Sequence, residues 1–143
     1  MTKLVRAVVA LGSNLGNREA YLDQALEYLS ALPDTRLEKA SSRIETEPVE
    51  VPEEFRNLKF INQVAIFLTS LEVHDFSRRM HEIEDILGRV RSVRNGPRTI
   101  DLDLIDFDGI RLNEPDLILP HPRWSERSFV KIPLEELHFH LTK

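Results

Sequence analysis

The order of apolar periods along the chain predicts an α+β fold built on one antiparallel sheet. Strand-like runs rich in β-branched and apolar residues are interleaved with two segments of helical period, in the order β-α-β-β-α-β. That order is the ferredoxin-like pattern, with helices packed on one face of the sheet. Asp108-Gly109 then reads as a turn into a C-terminal hairpin. The chain has 143 residues, no internal repeat, no low-complexity segment and no linker, so 1–143 is read as a single domain with one core.

Each element has a local reason. Leu4 to Leu11 (LVRAVVAL) is β-rich and mostly apolar, and no small-residue cleavage site follows it. It is expected as a buried first strand rather than a signal peptide. GSNLGN, with Gly12 and Gly16, reads as the turn that ends it. Asn17 can cap a helix running to about Leu32, with Leu22, Ala25, Leu26 and Leu29 on one face. Pro33-Asp34 stops that helix. Thr35 to Ile44 is the second strand, and the acidic, proline-containing ETEPVEVPEEFRN is a long loop, of a kind that often serves function. Lys59 to Leu68 is the next strand. Val73 to Leu87 is a helix that carries Phe76, Met80, Ile83 and Leu87 on one face and ends at Gly88. Thr99 to Phe107 is the last long strand, ILPHPR a proline-bracketed loop, and Phe129 to Leu137 the packing tail.

Composition narrows the class of function. The chain is 41% hydrophobic and 30% charged, values ordinary for a globular protein. No apolar run approaches the roughly 20 residues a membrane helix needs. There is no cysteine, which excludes disulfides, thiolate metal sites and a cysteine nucleophile. This suits the cytoplasm. A net charge of −5 argues against a nucleic-acid coat. The arginines Arg89, Arg91, Arg94 and Arg98 are a local exception, and local positive charge on an acidic protein suits a compact anion.

The segment after those arginines, GPRTIDLDL, is the most informative in the chain. On a strand, residues i and i+2 share a face, so Asp101 and Asp103 project together, roughly 6–7 Å apart, while Leu102 and Leu104 turn to the core. Adjacent carboxylates repel, and a divalent cation resolves the conflict. The spacing alone fits a solvated strand face equally well. The nearby guanidinium groups favour a magnesium-polyphosphate complex, with metal on some oxygens and arginine forks on others. Neither a Walker loop nor a G-x-G-x-x-G turn is present. Asp106 is expected on the face opposite the pair, and Asp108 in the turn. Phe60 and Asn62, also at i and i+2, offer an aromatic face beside a carboxamide. That suits a flat heterocycle, although a core phenylalanine beside a satisfied amide is the commoner case. His121 and Arg127 are candidate phosphate donors, or else parts of a rigid surface turn. His81 and Glu84, at i and i+3, share a helical face that could equally be solvated.

Taken in order, LGSNLGNRE, FINQV, GRVR, GPRTIDLDL, LPHPR and RSFVKIPL resemble the 6-hydroxymethyl-7,8-dihydropterin pyrophosphokinase family over nearly the whole chain. The resemblance implies a Mg²⁺-dependent diphosphokinase of folate biosynthesis. Its partners would be ATP and 6-hydroxymethyl-7,8-dihydropterin, and AMP would be released. Asp101 and Asp103 match the aspartates that hold two Mg²⁺, and Arg89 and Arg98 match arginines that engage the phosphates and assist catalysis, so that these four form the catalytic set the resemblance implies. Glu84, Arg91, Arg94, Arg98, Leu104, His121 and Arg127 match positions lining the ATP site. Phe60 and Phe129 match the aromatics around the pterin, and Thr46, Glu47, Val49 and Asn62 match groups reading its polar edge. The loops ETEPVEVPEE and SVRNG are expected to order on binding both substrates. A non-catalytic ferredoxin-like module would leave Asp101, Asp103 and the arginines without a role, and a metal-dependent phosphodiesterase would need an acid or histidine for its water. The protein is expected to act as a monomer, without nucleic acid or membrane.

Overall fold

A computed structural model describes residues 3–14, 16–46, 59–88 and 99–141. The expected contacts of Arg89, Arg91, Arg94, Arg98, Glu47 and Val49, together with SVRNG and all of ETEPVEVPEE after Thr46, lie outside the described residues; Glu45 and Thr46, expected in that loop, belong instead to a short strand.

The main sheet is antiparallel throughout. It contains β1 (Val5–Ser13), β2 (Thr35–Ala40), β3 (Ile44–Thr46), β4 (Phe60–Thr69) and β5 (Asp101–Phe107), in the order β2-β4-β1-β5, with β3 pairing the other half of β4. Helices α1 (Arg18–Ser30) and α2 (Val73–Ile86) follow β1 and β4. A separate hairpin, β6 (Leu112–Glu114) and β7 (Leu117–Leu119), precedes α3 (Ser128–Glu136). Among the described residues no helix is long and apolar enough to cross a membrane.

The helices begin where side chains satisfy the free N–H groups of the first turn. The Asn17 side chain accepts from Ala20 N at 3.1 Å, and Glu72 caps α2 through His74 N and Asp75 N. Both helices bury their apolar faces on one side of the sheet. Leu22, Ala25 and Leu29 of α1 and Phe76, Met80 and Ile83 of α2 meet Val9, Leu11, Phe67, Leu102 and Leu104. Phe76 meets Phe107 edge to face at 5.8 Å between ring centroids.

Four expectations change. First, the helices do not all lie on one face: Val130, Leu134 and Leu137, in and just after α3, cover Val8, Ala10, Val64, Ile66 and Ile105 on the opposite side. A sheet apolar on both faces needs a layer on each. Second, Asp108-Gly109 does not open a ladder with β5; the pairing is β6 with β7, across Pro115-Asp116. Third, the strand expected over Thr35 to Ile44 breaks at Ser41, whose hydroxyl accepts from Val64 N at 3.0 Å. Arg43 then pairs with Glu19 and Asp23 of α1, and β3 resumes at Ile44.

Fourth, a bulge in β5 shifts the register between Val8 and Val9, so that Asp106, not Ile105, lies opposite Val8. Val8 belongs to the α3 face, so Asp106 lies on the same face as Asp101 and Asp103. It sits at the far end of that face, where its carboxylate accepts from Gly109 N at 3.3 Å and burial raises its pKa above the ordinary aspartate value.

Candidate active site

β1 extends two residues further than its apolar run indicates, through Gly12 and Ser13. The extension builds the site. Asn62, Gly12 and Asp101 stand side by side across β4, β1 and β5, and Val64, Ala10 and Asp103 form the next row. Along this face of β1 the side chains shrink from Val8 to Ala10 to Gly12. A Cβ on Gly12 would come within 2.9 Å of Asn62 Oδ1 and 3.4 Å of Phe60 Cδ1. Bare backbone at Gly12 is therefore what lets those two side chains lean over β1. The result is a shallow floor with an amide at one edge and a carboxylate at the other. Gly12, expected in the GSNLGN turn, is instead a strand residue. The descending V-x-A-x-G pattern on one strand face was the available signal.

At the amide edge, Asn62 is 6% exposed and its Nδ2 donates to Thr46 Oγ1 at 2.6 Å. Thr46 stands opposite Phe60 in the β3–β4 ladder, so Thr46, Phe60 and Asn62 are brought together. Phe129, in the first turn of α3, packs on the same face of the sheet. The Arg127 guanidinium lies 5.7 Å from the centre of the Phe129 ring, within cation–π range.

At the carboxylate edge, Asp101 and Asp103 are partly exposed while Leu102 and Leu104 are buried, the alternation expected of the segment. Arg127 Nη1 comes to 3.8 Å from Asp103 Oδ2, so one guanidinium spans the aromatic and acidic parts of the site. His121 is fixed beside β5 by its backbone N–H, which donates to Ile105 O at 2.8 Å. Together with Asp103, Leu104, Met80 and Ile118 it lines a groove of about 260 Å³ between α2, β5 and the hairpin. Glu84 is 1% exposed and faces inward: Oε2 accepts from Leu102 N at 2.7 Å and Oε1 pairs with His81 Nδ1 at 2.8 Å.

Burial, reinforced by Arg127 and Arg123, pushes the His121 pKa down from 6.5 to about 4. The imidazole is thus neutral at physiological pH. Between pH 6.5 and about 4 the unfolded chain binds a proton that the folded chain refuses, so His121 makes stability fall as pH drops through that window. We expect NMR to place the His121 titration near 4 in the free protein. A bound triphosphate, which favours the charged ring, should move it up. A midpoint near 6.5 in the free protein would refute the burial argument.

The donor set fits magnesium. Two hard carboxylates, Asp101 and Asp103, project together from one face of β5. Mg²⁺ is characteristically held by one or two carboxylates, with substrate phosphates and water completing its shell.

Comparison with known proteins identifies the family of the chain. Residues 8–139 match the family model for 7,8-dihydro-6-hydroxymethylpterin-pyrophosphokinase (HPPK). The chain is 42% identical over 131 residues to the 2-amino-4-hydroxy-6-hydroxymethyldihydropteridine pyrophosphokinase of Bacillus subtilis, covering 92% of this chain and 77% of that protein. It is 39% identical over 132 residues to the enzyme of the same name from Pseudomonas aeruginosa, covering 92% and 80%. The crystal structure of wild-type HPPK-DHPS from Plasmodium falciparum superposes with a TM-score of 0.68 at 15% identity, a likeness of fold. That match covers 95% of this chain and 38% of the longer one. By the extent of the family match and the identity to these relatives, the chain belongs to the 7,8-dihydro-6-hydroxymethylpterin-pyrophosphokinase family.

Proposed function

We propose that the chain transfers the β,γ-pyrophosphoryl group of ATP to the hydroxymethyl oxygen of 6-hydroxymethyl-7,8-dihydropterin, releasing AMP, as a step of folate biosynthesis. The observation that carries this reading is the row Asn62–Gly12–Asp101. It sets a ring-sized floor with a hydrogen-bonding edge directly beside a pair of carboxylates.

The roles follow from position. Phe60 and Phe129 supply apolar faces for the pterin, and the edge formed by Asn62 and Thr46 orients it by hydrogen bonds. Glu47 and Val49 are assigned to the same edge by resemblance. Asp101 and Asp103 would hold Mg²⁺, read as two ions; bound there, the metal neutralises phosphate charge as it develops. The groove beside Leu104 and His121 receives the nucleotide. Arg127 would orient phosphate oxygens, with Arg89, Arg91, Arg94 and Arg98 assigned to the same task by resemblance. The nucleophile is an alcohol and the protein forms no covalent intermediate, so alignment and electrostatic stabilisation dominate the rate enhancement. Counting β3 as a continuation of β2, the strand order supports the ferredoxin-like reading of the sheet. We read the protein as a cytoplasmic monomer.

The direct test is an AMP assay with protein, Mg²⁺, ATP and the hydroxymethylpterin. AMP formation that requires both pterin and magnesium is expected. No AMP at any magnesium concentration would overturn the reading.

A further inference from the structure

We infer that Glu84 is a positioning residue for the Asp101–Asp103 pair, acting through the main chain of β5 rather than through a bound nucleotide. The inference deepens the proposed function and rests on it. β5 is the terminal strand of the sheet, so its outer edge has no neighbouring strand among the described residues. In an antiparallel ladder successive residues turn their N–H groups alternately toward and away from the partner. The Leu102 N–H goes to Glu84 Oε2 at 2.7 Å, which makes it outward-facing; those of Asp101 and Asp103 then face β1. Glu84 therefore grips the free edge at the residue between the two aspartates. It takes the place that a sixth strand would otherwise fill.

The geometry suits that task better than contact with a ligand. Glu84 is 1% exposed and its other oxygen is 2.8 Å from His81 Nδ1. His81 is half-exposed and lines the groove that Asp103 and His121 also line. The carboxylate is thus braced from the groove side and pulls on the strand from the core side. Leu102 is itself buried, so without Glu84 its N–H would have to find another acceptor. The strand would meet that need by twisting or sliding, and either motion changes the separation of the carboxylates on its other face. Groups that orient metal ligands typically alter metal affinity when removed, although they touch no metal.

The probe is Mn²⁺ in the presence of α,β-methylene-ATP, which cannot be cleaved at the transferred bond. Binding is read by electron paramagnetic resonance, and exchange of the Leu102 amide by NMR. Glu84→Gln keeps an oxygen acceptor for Leu102, whereas Glu84→Ala removes it and Glu84→Asp withdraws it by one methylene. We expect Glu84→Ala to weaken analogue-dependent Mn²⁺ binding about 10–100-fold, with faster exchange at Leu102, and Glu84→Gln to stay within about threefold of wild type. If Glu84→Ala does not fold, Glu84→Asp decides, with weakened binding expected. Wild-type Mn²⁺ affinity in the folded Ala or Asp variant would overturn the inference and leave the proposed function standing. Absence of analogue-dependent Mn²⁺ binding in the wild type would overturn both.

Discussion

Asp103→Ala lowers turnover about 10³-fold or more, because several kcal/mol of transition-state charge stabilisation depend on that carboxylate. The fold should survive the change. Asp103 is 37% exposed at the side chain and faces Ala10 across the ladder, so its removal leaves no cavity and relieves a like-charge contact with Asp101. What goes is one of two hard ligands held together by strand geometry, along with the contact to Arg127 Nη1. AMP release in a steady-state assay gives the rate, and thermal unfolding gives the stability. A folded Asp103→Ala protein with near-normal turnover would show that the aspartate pair does not carry the metal. Asn is the informative second substitution. It keeps the shape and loses the charge, so it should fall close to Ala if charge is what matters.

Gly12→Val acts on the other substrate and is expected to raise the pterin KM about 10²-fold or more, since the groups that read the ring edge lose their alignment. Valine suits a strand, so β1 has no backbone reason to unfold. Its Cβ alone would meet Asn62 Oδ1 at 2.9 Å, and the Asn62 amide is already committed to Thr46 at 2.6 Å. Either the amide rotates away or Phe60 moves, and both belong to the proposed ring site. The γ-methyl groups then occupy the floor between Asn62 and Asp101. The effect should fall on pterin binding, while analogue-dependent metal binding at Asp101 and Asp103 changes little. Pterin affinity by fluorescence titration separates the two. Unchanged affinity in a folded Gly12→Val protein would remove the floor from the binding site.

Much of this site was legible because it depends on features inside single elements. D-x-D on an apolar strand places two carboxylates on one face wherever the strand goes. F-x-N does the same for the ring and the amide on β4. The cap at Asn17 and the apolar stripe of α2 are written in adjacent residues. Glu84 was legible only as sharing a helical face with His81 and, by resemblance, as lining the ATP site. That its second oxygen reaches Leu102, eighteen residues onward, depends on how α2 lies along β5.

The face of Asp106 shows the limit most clearly. Counting by twos from Asp103 places it opposite the pair, and the count fails because one extra residue is accommodated in β5 against β1. A bulge is a property of two strands, set by how their side chains and turns fit together, and one strand's alternation does not reveal it. The break at Ser41 has the same origin, since its hydroxyl rather than a main-chain carbonyl accepts from Val64 N on β4.

By itself, then, the sequence determined which residues share a face within an unbroken strand, where the first two helices start, and that two acids would stand together on one strand face. Local sterics and hydrogen bonding act over a few residues and fix such things without reference to the rest of the chain. Only the tertiary structure decided that α3 closes the second face, that Gly12 is a floor rather than a turn, and that Glu84 holds the edge of β5. Those depend on register and packing between segments far apart in the chain, where the free energy is set by the pair of surfaces that meet.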